Sequence, residues 1–243
     1  MRLFESVTII NGVEPDELLA RYEALGDERD FLEARPLFER ASAERREDAR
    51  LLNDYGYLLE CHGRNELRQA ASLYERAIEL DPEFDKPHYQ LISACAGLRE
   101  PERAVAVYEA RLASNSSSVR EHRFLAQAYV AAHAYSKALE VAEAGLVLAP
   151  DDAALFATRG EARAGLGDFE GALADWRLAL DLEPEDIGAL YSTAFLLERA
   201  ERLAEAIDAW ESIVAWNEER GFELETVWPR QERDRLRAAL AGA

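Results

Sequence analysis

Four histidines, two cysteines and one glycine-rich turn are where catalytic or metal chemistry would have to reside in this 243-residue sequence. Zinc sites draw His and Cys ligands at short, recurring spacings. His62, His88, His122 and His133 offer no such pattern, and His88 and His122 share one slot in adjacent sequence units, so packing accounts for their spacing. Cys61 and Cys95 are too few for a disulfide framework or a zinc site and read as buried thiols in a reducing compartment. The stretch GLGDFEG, Gly165 to Gly171, has the glycines of a phosphate-binding loop. It lacks the Lys-Ser/Thr ending that reaches phosphate and metal, and reads as a turn between paired helices. Asn115 to Ser117, NSS, matches a glycosylation acceptor but without a secretory signal reads as a loop and helix cap. No nucleophile stands with a base and an orienting group, so neither catalysis nor a metal or cofactor is expected.

The elements that would position any site must be built from a chain that is 49% apolar and carries a net charge of −20. That apolar content suffices for one folded unit or for an array whose neighbouring elements share a core. The charge excludes nucleic acid as a general partner, since phosphate binding needs a basic face, and points to solubility or to basic surfaces on a partner. The N-terminal MRLFESVTIINGVEP offers only Val7 to Ile10, interrupted by Thr8, well short of a secretory core. No other segment could span a bilayer, so a cytoplasmic location and no membrane association are expected.

The strongest signal is a repeat. Prolines at 82, 150 and 184 close the similar stretches ASLYERAIELDP, LEVAEAGLVLAP and LADWRLALDLEP. A period of 34 residues aligns four units beginning at Asp85, Val119, Ala153 and Ile187, each dividing into two amphipathic helices. Small residues recur at Ala126, Gly160 and Ala194 in the first helix and at Ala104, Ala138, Ala172 and Ala206 in the second. Aromatics recur at Tyr108, Trp176 and Trp210. A small residue lets two backbones approach, and the aromatic fills the space beside them. Gly160 and Ala172 are therefore expected to be buried at a helix crossing. A further unit, Ala49 to Phe84, fits with two extra residues in its turn. Another, Pro15 to Asp48, is degenerate but keeps Ala34, Phe38 and Ala41 in register. Pro36 predicts a kink there, or a second helix that starts near Arg35.

These slots, in this order, resemble the tetratricopeptide repeat family. Ile92, where a small residue is usual, Arg163, where Tyr is usual, and Ser116 and Glu218, where Pro is usual, depart from its pattern. The resemblance implies an all-α fold: a right-handed superhelical solenoid of about six antiparallel helix pairs over residues 15–220. Residues 1–14 would be an N-terminal extension. Residues 221–243 would be a capping helix, with Pro229 in its first turn and Leu236 and Leu240 on the face that covers the last repeat.

The resemblance also implies a concave surface lined by the first helices. The outward positions in those helices form three sets: Arg50, Lys86, Arg120, Ala154 and Gly188; Asn53, Tyr89, Arg123, Ala157 and Tyr191; and Tyr57, Ser93, Gln127, Glu161 and Phe195. Every charge in the first two sets is positive. Cations near a helix N-terminus oppose its dipole, so helix stability does not account for them. The expected site is a basic, aromatic-lined groove for an acidic or C-terminal peptide segment, formed by Arg50, Asn53, Tyr57, Lys86, Tyr89, Arg120, Arg123, Gln127, Tyr191 and Phe195. The rival reading is that Arg50, Lys86, Arg120 and Arg123 only balance acids within the array, and Glu60, Glu161 and Glu198 lie on the same side. The Lys and Asn clamp by which some family members hold a terminal carboxylate is not reproduced at Asn53 with Tyr57 or Tyr89 with Ser93. The expected function is a non-catalytic scaffold binding a peptide or protein segment in the groove. The alternative is an acidic inhibitor or immunity-type protein that covers a basic partner with its convex face. Self-association through the array ends is compatible with both.

Overall fold

The computed structural model describes residues 28–44, 46–63, 66–222 and 224–241. Among these residues the chain is all-helical: α1 (Glu28–Glu44), α2 (Ala49–His62), α3 (Leu67–Leu80), α4 (Asp85–Leu98), α5 (Pro101–Ser114), α6 (Val119–Ala131), α7 (Tyr135–Leu148), α8 (Ala153–Leu166), α9 (Phe169–Leu182), α10 (Ile187–Arg199), α11 (Leu203–Glu219) and α12 (Val227–Ala241). A short 3-10 turn, Leu224–Thr226, precedes α12. The extension 1–14 and the first part of the degenerate unit, from Pro15, lie outside the described residues.

Local chemistry sets the 34-residue period. Asp48, Ser118, Asp152 and Asp186 each accept a backbone N–H three residues ahead, capping α2, α6, α8 and α10. The turn inside successive pairs carries a left-handed residue at Arg99, His133, Gly167 and Glu201, again 34 apart. Only Gly167 adopts that conformation without a Cβ clash. Glu218, standing where a proline would stop the second helix, leaves α11 free to run to Glu219, giving 17 residues against 14 in α7 and α9.

The chain divides into two compact units, Met1–Val107 and Tyr108–Ala243. In the first, α3 packs against both α2 and α4. Fully buried Tyr74 of α3 lies against Gly56 of α2 and donates its hydroxyl to Glu60 at 2.7 Å. Phe38 of α1 is buried and stacks on Tyr55 of α2 with ring centroids 5.8 Å apart. Of the two alternatives for Pro36, the structure corrects the second: α1, Glu28–Glu44, runs through Pro36, and no new helix starts near Arg35. Pro36 is exposed, so the carbonyl of Leu32 that loses its helical donor can be solvated. Cys61 is a second correction: it is exposed on the last turn of α2, whereas Cys95 is buried, and burial pushes its thiol up to about 11.

In the second unit, Trp176 of α9 fills the space left by Gly160 of α8, and its indole N–H donates to the Ala157 carbonyl at 3.1 Å. Ala172 beside it is fully buried. Arg163, in place of the usual Tyr, has a local reason: with Arg159 it grips the buried carboxylate of Asp175, Arg159 through two bonds of 2.9 and 2.6 Å and Arg163 through one of 2.8 Å. Asp175 is 1% exposed, and these three bonds offset its desolvation. α12 packs on α11, placing Leu236 in a core with Trp210 and Ile213, and Pro229 is buried in its first turn. Leu240 does not join that core. It is 48% exposed, because the last turn of α12 buries no side chain.

Candidate functional site

In the first unit the proposed binding residues come from α2 and α4. Arg50 is exposed near the start of α2 and Lys86 near the start of α4. The Lys86 ammonium lies 5.3 Å from the centroid of the Tyr57 ring, a cation–π contact, and Tyr89 is 50% exposed. Asn53 corrects the expected groove. It is fully buried, its amide N–H donating to Asp54 at 3.2 Å, and its carbonyl oxygen is buried without a partner. Tyr57, one turn further on, is half-buried.

In the second unit the residues come from α6, α8 and α10. Arg120 and Gln127 are half-buried on α6. Arg123 is engaged internally: its Nε–H donates to the Asp152 carboxylate at 2.6 Å, and a second guanidinium N–H reaches the same oxygen. The other Asp152 oxygen caps α8 by accepting the Leu155 N–H at 3.0 Å. For Arg123 the internal balance of acids is thus the observed role. The other acids on this side divide sharply. Glu60 accepts the Tyr74 hydroxyl, and Glu198 accepts the Trp210 indole N–H at 2.6 Å and pairs with Arg235. Among the described residues Glu161 has no such partner. Burial, with repulsion from Asp186, pushes its carboxyl from the ordinary 4.5 up to about 7.

Tyr191 and Phe195 of α10 belong to a four-ring cluster that the sequence did not predict. Trp228, in the first turn of α12, stacks on Tyr191 at 6.0 Å and lies 5.8 Å from Phe195. The edge-on Trp210 of α11 supports all three at 5.8, 5.3 and 5.0 Å. Phe195 and Trp228 remain 45% and 43% exposed. The signal for Trp228 was present as an aromatic just before the helix-starting Pro229, but nothing in the 34-residue period includes it.

The residues considered for other chemistry have structural roles. His88 and His122 are buried, and each donates a ring N–H to a carbonyl, of Pro82 at 3.1 Å and of Ser118 at 2.8 Å. GLGDFEG is the α8–α9 turn, with Gly167 left-handed and Asp168 capping α9. Among the described residues no cluster of His, Cys, Asp and Glu could hold a metal ion, and no helix is long and apolar enough to cross a membrane.

Two family models described as tetratricopeptide repeat match residues 125–186 and 158–217, spanning α7 to α10 and most of α6 and α11. Over residues 125–217 the chain carries tetratricopeptide repeats. Its fold is similar to that of a thermophilic tetratricopeptide repeat protein of Thermus thermophilus, 22% identical, covering 80% of this chain and all of that one at a TM-score of 0.59. Yeast Tom70 is similar over 93% of this chain and 47% of its own length, at 16% identity and a TM-score of 0.65. A tetratricopeptide repeat protein from Parabacteroides merdae covers 91% of this chain and 93% of its own, at 14% identity and a TM-score of 0.54. These likenesses carry the fold. No curated protein sequence matches this chain. Its repeats make it a protein-interaction scaffold.

Proposed function

We propose that this scaffold binds an extended, acidic protein segment on the first-helix face of its first unit. The observation that carries the reading is Lys86 held over the Tyr57 ring, with exposed Tyr89 on the same helix. A cation anchored on an aromatic face is positioned before the ligand arrives, so little side-chain freedom is lost on binding. The exposed Arg50 adds a second positive group on α2. Carboxylates of the segment would meet Lys86 and Arg50, and its apolar groups would lie on Tyr89.

The test is selection of a displayed random-peptide library on the full chain, followed by fluorescence anisotropy with the synthesised peptides. Acidic peptides should be enriched, and Lys86→Glu should weaken them about tenfold or more by exchanging attraction for repulsion. Acidic peptides that bind Lys86→Glu and the unaltered chain equally would refute this site.

A second reading, that of an acidic protein covering a basic partner with its convex face, is favoured by one observation in the second unit. Val147 of α7 and Leu178 of α9 are 80% and 43% exposed, and the acids Glu140 and Asp181 on the same helices are exposed as well. Exposed apolar side chains on helices that also expose acids suit a basic partner surface. Association that weakens steeply with salt and is insensitive to Lys86→Glu would favour this reading.

A further inference from the structure

The first-helix face of the second unit has the opposite chemistry to that of the first. Glu161 of α8 and Phe195 of α10 occupy the same slot in consecutive repeats, and the two helices are in contact. Asp186, the cap of α10, is close enough to repel the Glu161 carboxylate, and one of its own oxygens is engaged by the Ala189 N–H at 3.1 Å. The arginines that could neutralise Glu161 from its own helix, Arg159 and Arg163, are both bound to Asp175, and Arg123 is bound to Asp152. One turn before Glu161 stands Ala157, a small residue packed against the core of this unit. On α10, which touches α8, and at the start of α12, Phe195 and Trp228 are each nearly half exposed and braced by Trp210.

We propose that this face binds a protein segment through a lysine or arginine side chain that pairs with Glu161, while an adjacent apolar residue rests on Phe195 and Trp228. A carboxylate with no cation on it, one repeat away from exposed aromatic faces, lets a segment be held both by ion pairing and by the rings. It repels the acidic segment assigned to the first unit, so the two faces select different ligands. The neighbouring carboxylate of Asp186 adds to the attraction. The inference rests on the reading of the chain as a segment-binding scaffold, but not on the Lys86 site.

The same random-peptide library, selected on the full chain, tests it with different variants. Peptides combining Lys or Arg with a nearby apolar residue should be enriched. A synthesised member of that class should lose about tenfold or more in affinity on Glu161→Gln and on Trp228→Ala. Lys86→Glu should leave it unchanged. Glu161→Gln is nearly isosteric, and circular dichroism establishes that both variants fold; Glu161→Asp, which retains the charge, should keep much of the affinity. Cationic peptides indifferent to Glu161→Gln would overturn the inference. Selection of acidic peptides alone, lost on Lys86→Glu, would leave the first-unit site standing and overturn this one. Enrichment of no peptide would overturn both.

Discussion

Replacing Glu161 by Gln should make the protein more stable at pH 8 and much less so at pH 5. The folded chain holds the Glu161 proton up to about pH 7, whereas an ordinary glutamate releases it near 4.5. Between those values the folded state binds a proton that the unfolded state has lost, so stability falls as pH rises through this window and the full cost is present above it. At about 1.4 kcal/mol per tenfold difference in proton affinity, the ceiling is on the order of 3 kcal/mol. Because the side chain is only part-buried, solvent screening brings the expected effect to about 2 kcal/mol. Gln has no proton to lose and resembles the protonated form. Urea unfolding of both proteins at pH 5 and pH 8 isolates this group, since the other carboxylates cancel in the difference. A variant no more stable than the unaltered chain at pH 8, or equally shifted at both pH values, would refute the reasoning. A carboxylate kept at such a cost is what a binding site leads one to expect, because the cost is recovered when a cation arrives.

Two further substitutions test the frame that holds the faces. Gly160→Ala would place a Cβ 2.5 Å from the Trp176 indole nitrogen, which is fixed by its bond to Ala157. Repacking should cost about 1–3 kcal/mol in urea unfolding, outweighing the better helix propensity of Ala, and a gain in stability would contradict the close crossing. Glu201→Gly relieves a left-handed residue at φ 57°, equivalent to Gly167 one repeat earlier, and should add about 0.5–1 kcal/mol to thermal stability.

Much of the architecture was legible because the repeat fixes residue sizes at crossings. Gly160 against Trp176 and Gly56 against Tyr74 are the same small-and-large pairing in two units, and the sequence period locates both. The unit boundaries at Asp85, Val119, Ala153 and Ile187 coincide with the first residues of α4, α6, α8 and α10. Pro36 did not start a new helix because an exposed helix face tolerates the lost hydrogen bond, and periodicity does not report that exposure. The binding residues were harder to read. Outward slots are assigned by register, but register does not tell which cations are already paired: Arg123 holds Asp152 across 29 positions, and Asn53 is enclosed. Trp228 lies outside the period, so its stacking on Tyr191 depends on how α12 docks, a long-range contact with no local signature. Glu161 stood in the outward set from the start, but its lack of a cation is a fact of three dimensions.

The central claim is that protein segments bind on the first-helix faces of both units. Amide hydrogen exchange of the full chain, with and without one acidic and one cationic peptide from the library, tests it most directly. The account predicts added protection in α2 and α4 with the acidic peptide and in α8, α10 and the start of α12 with the cationic one. Protection confined to α7 and α9, where Val147 and Leu178 face outward, would contradict it.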